Sequence, residues 1–163
     1  MKKRSAGILL FRSSNSELEV FLVHPGGPFW AKKHAGAWSI PKGEYSDGDN
    51  PLDAAKREFA EETGVRVDGD FIPLGEVKQA GGKIVIAWAL EGDTDAKLIQ
   101  SNTFTIEWPP GSGRMREFPE VDTADWFSLR VAQVKLVTGQ VKFLKRLAQH
   151  VDQEATKLSS SEP

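Results

Sequence analysis

Arg57-Glu58-Phe59-Ala60-Glu61-Glu62-Thr63-Gly64-Val65 crowds three carboxylates onto little more than one turn of what reads as a helix. Residues three and four apart on a helix are neighbours, so Glu58 faces both Glu61 and Glu62, and like charges at that spacing cost roughly a few tenths of a kcal/mol. Selection for helix stability alone does not choose this arrangement. A hard divalent cation does, because Mg²⁺ takes oxygen ligands and keeps waters and substrate phosphates in its remaining positions. Arg57 stands one turn before Glu61, and the spacing predicts that its guanidinium holds that carboxylate through a charge-assisted hydrogen bond.

Working outward, the ends of this helix are marked by Asn50 as N-cap, Pro51 at the first helical position, Asp53 in the first turn and Gly64 beyond the last. Leu52, Ala55 and Phe59 fall at three-and-four spacing and are expected to face a sheet, while Ala54, Glu58, Glu61 and Glu62 share another side. Upstream, Ala6 to Phe11 and Glu19 to His24 are apolar, β-rich runs separated by Ser13-Ser14-Asn15-Ser16, which reads as a hairpin. Pro25 to Ala37 is then a long loop with Phe29, Trp30, Lys32, Lys33 and His34, and loops of this length in compact domains are commonly functional. Trp38-Ser39-Ile40 is expected as a short strand, closed by Pro41-Lys42-Gly43.

Downstream, Leu74 to Gln79 and Lys83 to Leu90 flank Ala80-Gly81-Gly82 as a second hairpin. Thr103 to Trp108 alternates as a strand, Pro109 to Arg114 is a loop, and Asp125-Trp126-Phe127 reads as a short final strand. Ser128 and Thr138 are expected N-caps of two closing helices, the second with Val141, Leu144, Ala148 and Val151 along one face. Strands and helices interleaved around hairpins predict an α/β fold with a mixed sheet rather than a parallel one.

With 163 residues and 39% apolar content, the chain suits one domain with a proper core, expected over residues 1–151, and a polar stretch at 152–163 reads as a frayed tail. A net charge of −2 gives no bulk attraction to nucleic acid or anionic membrane, so any phosphate recognition must be local. The absence of cysteine removes disulfides, zinc thiolates and thiol nucleophiles together, and a cytoplasmic home fits that composition. The apolar run after Met1-Lys2-Lys3-Arg4 stops at Arg12, short for a signal-peptide core, and no stretch approaches the roughly 18 apolar residues of a membrane span. The oligomeric state is open, with a homodimer as one expectation.

Read from Gly43 to Val65, GEYSDGDNPLDAAKREFAEETGV resembles the Nudix box, in which Gly is followed after five residues by Glu and after seven more by Arg-Glu-apolar-x-Glu-Glu-x-Gly-apolar. Gly43, Arg57, Glu58, Phe59, Glu61, Glu62, Gly64 and Val65 all match. The family's first Glu falls on Asp49, a carboxylate shorter by one methylene, with Glu44 and Asp47 nearby but off the pattern. The resemblance implies an α/β/α sandwich and the metal-dependent hydrolysis, with Mg²⁺ or Mn²⁺, of a pyrophosphate bond in a nucleoside diphosphate derivative. That chemistry needs charge neutralisation and an aligned water more than covalent catalysis.

By motif position the resemblance makes Glu58, Glu61 and Glu62 the metal ligands, with Glu58, Glu61, Arg57 and Glu120 as the catalytic set. Glu120 enters as an additional carboxylate from the loop before the Trp126 strand, with Glu117 a weaker substitute. Trp38-Ser39-Ile40-Pro41-Lys42-Gly43 is similar to the Trp-x-x-Pro-Lys-Gly segment of Nudix enzymes that cleave dinucleoside polyphosphates or diphosphoinositol phosphates, which implies that Lys42 meets phosphate as a point charge. Trp38 reads either as core or as a base-stacking platform. Trp30 beside Lys32, Lys33 and His34 reads either as a loop anchor or as a surface for a base. Three functions follow: a dinucleoside polyphosphate hydrolase, a housecleaning (d)NTP pyrophosphohydrolase, or a nucleotide-binding module that has lost catalysis, a reading only Asp49 favours.

Overall fold

A computed structural model describes residues 3–161 and contains eight strands and three α-helices. The hairpin expected at the amino terminus forms from β1 (Arg4–Ser14) and β2 (Glu17–Pro25), turned by Asn15 and Ser16, both at positive φ. β3 (Lys42–Glu44) follows the long loop, then α1 (Pro51–Thr63). The second hairpin is β4 (Ile72–Lys78) and β5 (Ile84–Glu91). β6 (Thr103–Glu107) pairs with β7 (Met115–Pro119), a strand that the sequence pattern does not announce, to make a separate two-stranded sheet. β8 (Val121–Ser128), α2 (Leu129–Lys135) and α3 (Val141–Ser161) close the chain.

The main sheet runs β4-β5-β1-β2-β8, with β3 also paired to β1. It is mixed, since β1 and β5 are parallel and the remaining pairs antiparallel. Alternation along β1 sorts the core into two layers. Ala6, Ile8 and Leu10 join Ala54, Ala55 and Phe59 of α1, whereas Leu9 and Phe11 join Ala132 of α2 and Phe143, Leu144 and Leu147 of α3. Helices therefore cover both faces, as the resemblance implies. Ala54 is buried alongside Ala55 and Phe59, so the packed side of α1 is wider than the stripe read from sequence.

The position of the site follows from a gap in this sheet. β2 pairs with β1 only over Phe11–Ser14, and towards the other end the strands diverge. Residues 38–44 fill the space: Ser39 exchanges two 2.9 Å backbone bonds with Val23 of β2, Ile8 N donates to Pro41 O, and β3 pairs with Ser5–Gly7 of β1. The strand expected at Trp38–Ile40 is thus reduced to isolated bridges, and the continuous strand begins at Lys42.

Two closing features differ from expectation. Val137, not Thr138, precedes a 3₁₀ turn over Thr138–Gln140, and α3 starts after it. The frayed tail expected at 152–163 is helical through Ser161, because Gln153, Glu154, Ala155 and Lys157 favour helix and nothing in that stretch breaks it. Residues 152–158 are nevertheless exposed, beyond the last apolar contact at Val151, and residues 162–163 lie outside the described part. Among the described residues no helix is long and apolar enough to cross a membrane.

Candidate active site

α1 is anchored at both ends as its sequence demands. Asn50 Oδ1 accepts from Asp53 N at 3.1 Å, and Gly64 adopts a left-handed φ of 77° while its N–H donates to Ala60 O. The carboxylates project from the last turns. Glu58 runs directly beneath β3: a Cβ on Gly43 would lie inside the Glu58 carboxyl group. Gly43 is therefore required by the acid that passes under it.

Glu58, Glu61 and Glu120 act on one another. Burial, and then the charge of Glu61, hold the Glu58 carboxyl above its usual range, and the same two causes raise Glu120. Arg57 opposes this at Glu58, with Nη2 3.6 Å from Oε1. The guanidinium expected on Glu61 thus serves Glu58. Glu62 belongs to the same group, since beyond burial the charges of Glu120 and Glu58 raise it as well, and its Oε1 accepts from the Lys42 backbone N–H at 3.1 Å. Burial pushes the Glu62 carboxyl up to about 8, against the pull of that bond and of the Lys42 ammonium. Lys42 is lowered, first by burial, although Glu62 attracts its charge. Desolvation exceeds the mutual attraction on both sides of this pair.

Glu120 reaches the site through a strap. Asn102 N donates to Glu61 O and Asn102 O accepts from Glu120 N, both at 2.8 Å, while Ser101 Oγ accepts from Val121 N. The Glu120 carbonyl in turn receives Gly26 N at 2.9 Å. One residue is thereby tied to the helix, to the base of the β6–β7 hairpin and to the long loop. Glu117 is placed in β7 opposite Thr105, away from this strap.

A cleft of about 340 Å³ opens beside these groups, lined by Lys42, Glu62 and Glu120, by Trp30 of the long loop, and by Gln79, Lys83 and Gln140. Trp30 is 40% exposed, with Lys33 Nζ 5.2 Å from its ring centre. Trp38 is not a stacking platform. It is 5% exposed, lies edge-on to His24 and Phe127, and belongs to the core. His24 is a buried clamp: Nδ1 bonds Asp122 Oδ1 at 2.8 Å and Nε2 bonds Lys33 O at 2.5 Å, fastening the loop to β8. Asp49 closes a turn, donating its N–H to Ser46 O and accepting from Ser46 N.

The donor set suits a hard cation, since the acids offer oxygen only and their clustering raises the protonation of Glu58 and Glu120 in the absence of positive charge. As the side chains stand, no group of three acidic or histidine residues among those described is already closed around a common ion position. Gln79, Gln140, Ser101 and Asn102 escape the sequence reading. The Gly81-Gly82 turn beside Gln79 is the one local signal; the others meet the site only through long-range contacts.

The NUDIX domain model matches residues 1–147. A Myxococcus xanthus protein named octanoyltransferase is 28% identical over 133 residues, covering 82% of this chain and 33% of that protein. The mouse bis(5'-nucleosyl)-tetraphosphatase [asymmetrical] is 31% identical, over 56% of this chain and 66% of its own. A crystal structure of a C. elegans Ap4A hydrolase binary complex superposes with a TM-score of 0.63 at 20% identity, covering 93% of this chain and 98% of that one. The chain thus spans a third of the first relative and about two thirds of the second, and the likeness to the worm structure is one of fold.

Proposed function

This chain belongs to the NUDIX domain family, and from that premise we propose that it is a metal-dependent hydrolase of a pyrophosphate bond in a nucleoside diphosphate derivative, with a dinucleoside polyphosphate as its substrate. The observation that carries the reading is a cleft lined by Lys42, Glu62 and Glu120, whose acids are electrostatically coupled to Glu58 and Glu61 of α1. Glu58, Glu61 and Glu62 would hold Mg²⁺ or Mn²⁺, with Glu120 as the additional carboxylate. The ion, when bound, neutralises charge on the phosphate oxygens and favours ionisation of a nucleophilic water.

The chain's own residues supply the rest. Lys42 offers a positive charge to the polyphosphate from a partly desolvated position, where that charge acts more strongly than in water. Gly43 leaves room for Glu58, Arg57 holds Glu58 from outside, and the Asn102 strap keeps Glu120 at the end of α1. Trp30 offers an aromatic face at the cleft mouth for a nucleobase. Choice of a dinucleoside polyphosphate is supported by the Trp38 to Gly43 segment and by the names of the mouse relative and of its rat counterpart, 29% identical over 63% of this chain. The octanoyltransferase match covers a third of that protein and does not bear on the chemistry of these carboxylates.

A panel of dinucleoside tetraphosphate, dNTPs, ADP-ribose and diphosphoinositol phosphates with Mg²⁺ tests this. The tetraphosphate is expected to give the highest kcat/KM. Preference for dNTPs moves the protein to the housecleaning class, and exclusive turnover of ADP-ribose overturns both. Nucleotide binding without product in Mg²⁺ or Mn²⁺ makes it a binding module.

A further inference from the structure

A buried amide relay fixes what one wall of the cleft presents to a ligand. Gln140, in the 3₁₀ turn before α3, is fully buried. Its Oε1 accepts from the Ile40 backbone N–H at 3.0 Å, and because a peptide N–H only donates, the carbonyl end of this amide must face Ile40. The Nε2 end then donates to Ser39 Oγ at 3.0 Å and to Gln79 Oε1 at 2.9 Å, while the Ser39 hydroxyl gives its proton to Ile40 O. Each orientation follows from the one before. With its oxygen taken by Gln140, Gln79 must turn its NH₂ group away from the relay, and that group has no partner among the described residues.

The backbone around Gln79 is closed just as tightly. Gln79 N donates to Lys83 O at 2.8 Å and Gly82 N to Gln79 O at 3.1 Å, which shuts the β4–β5 turn. On the other side, a Cβ on Gly139 would stand 2.9 Å from Gln79 Cα and 3.0 Å from its Cγ, too close for any residue but glycine without a shift. Two consecutive residues of one short turn, Gly139 and Gln140, therefore hold a third residue that lines the cleft.

We propose that Gln79 is a substrate-binding residue, donating its side-chain N–H to a phosphoryl oxygen of the bound polyphosphate, and that Gln140 is the positioning residue that aims it. The class of ligand rests on the pyrophosphate reading above; the direction of the amide does not. Lys42 and Lys83 line the same cleft, and Lys83 already counts among the groups that disfavour the Lys42 ammonium. A third cation there would add to that repulsion. A neutral donor reaches an anionic oxygen without it, and hydrogen bonds to charged groups are the stronger ones.

The test is NMR titration of the full chain with inorganic tripolyphosphate and Mg²⁺, following side-chain amide resonances, with affinities from calorimetry. The Gln79 NH₂ pair, assigned by its loss in Gln79→Glu, is expected to shift on titration. Gln79→Ala and Gln140→Met should each weaken tripolyphosphate binding about ten-fold, Gln79→Glu more strongly, and the Gln79→Ala/Gln140→Met pair no further than either alone, because both break one contact. No binding by the wild type, an unshifted Gln79 pair, unchanged affinity in Gln79→Ala, or additive losses in the pair would overturn the proposal. Should Gln140→Met fail to fold, the isosteric Gln79→Glu change at the cleft wall decides. Tripolyphosphate binding through Gln79 in a protein that cleaves none of the nucleotide panel supports this inference and sinks the hydrolase reading alone.

Discussion

Gly43→Ala tests the central geometry of the site with one methyl group. The substitution is free of backbone strain, since Gly43 is not among the glycines at positive φ and sits in a strand paired with Ala6. The added Cβ would nevertheless fall within the Glu58 carboxyl group and 2.5 Å from its Cγ. Either Glu58 swings out from under β3, or β3 lifts from α1. Overpacking of this kind costs about 1–3 kcal/mol, and displacing a metal-binding carboxylate is expected to cut turnover at least roughly 10²-fold. Urea unfolding of Gly43→Ala, Glu58→Ala and the double variant separates the two effects. The methyl group should destabilise the wild-type background by that amount and the Glu58→Ala background by much less, giving a coupling of about 1 kcal/mol or more. Equal destabilisation in both backgrounds would refute the reasoning, because Gly43 would then be conserving the strand and not the path of the acid. Mn²⁺ affinity, read by water-proton relaxation, should fall in Gly43→Ala as it does in Glu58→Ala.

Other expectations follow from the same geometry. Because burial raises Glu62 to about 8 in the fold while an unfolded Glu titrates near 4.5, the native protein holds the extra proton, so metal-free stability should fall by up to a few kcal/mol as pH rises from about 4.5 to about 8. Thermal melts should show this slope, Glu62→Gln should flatten it, and Mg²⁺ should offset it at the upper end; a metal-free Tm that rises across that window contradicts the assignment. Glu61→Gln and Glu62→Gln should each lower kcat at least roughly 10²-fold while remaining folded, and near-wild-type rates would move the metal away from α1. Asp49→Glu should leave kcat nearly unchanged, since Asp49 serves the Ser46 turn; a marked gain would show that the shorter acid handicaps the site. Trp38→Ala should cost about 3–5 kcal/mol of stability, whereas Trp30→Ala should leave the urea midpoint almost unmoved and raise KM for nucleotide substrates.

How much of this was legible in the sequence depended on the range of the interaction responsible. Asn50, Pro51 and Gly64 act within their own turns, so the helix and its limits could be read directly. The two hairpins and the mixed sheet followed from alternation and turn residues for the same reason. Trp38 could not be decided, because its burial depends on β1 and β2 separating far away in sequence and on the end of α2 reaching it through Leu136. β7 was missed since its pairing with β6 makes a small exposed ribbon whose strands carry little of the core. Beyond Val151 no apolar contact marks packing, and helix propensity alone extends α3 through an exposed stretch.

The site shows the same division more sharply. The motif spacing locates Gly43 and Glu58 as separate fixed positions fifteen residues apart, and only the fold reveals that one exists to let the other pass. Helical spacing points Arg57 at Glu61, yet its guanidinium meets Glu58, its immediate neighbour, at 3.6 Å. Glu120 itself comes within reach of the helix through Asn102, whose two backbone bonds join the Glu61 carbonyl to the Glu120 N–H. Peptide groups carry no sequence signature, so such a strap is invisible before the chain is folded. It also means that the β6–β7 hairpin, which rises between Asn102 and Glu120, is fastened at its base to the main chain of two candidate catalytic residues. A ligand that moved that hairpin would act on Glu61 and Glu120 through main-chain bonds, whatever side chains the hairpin carries.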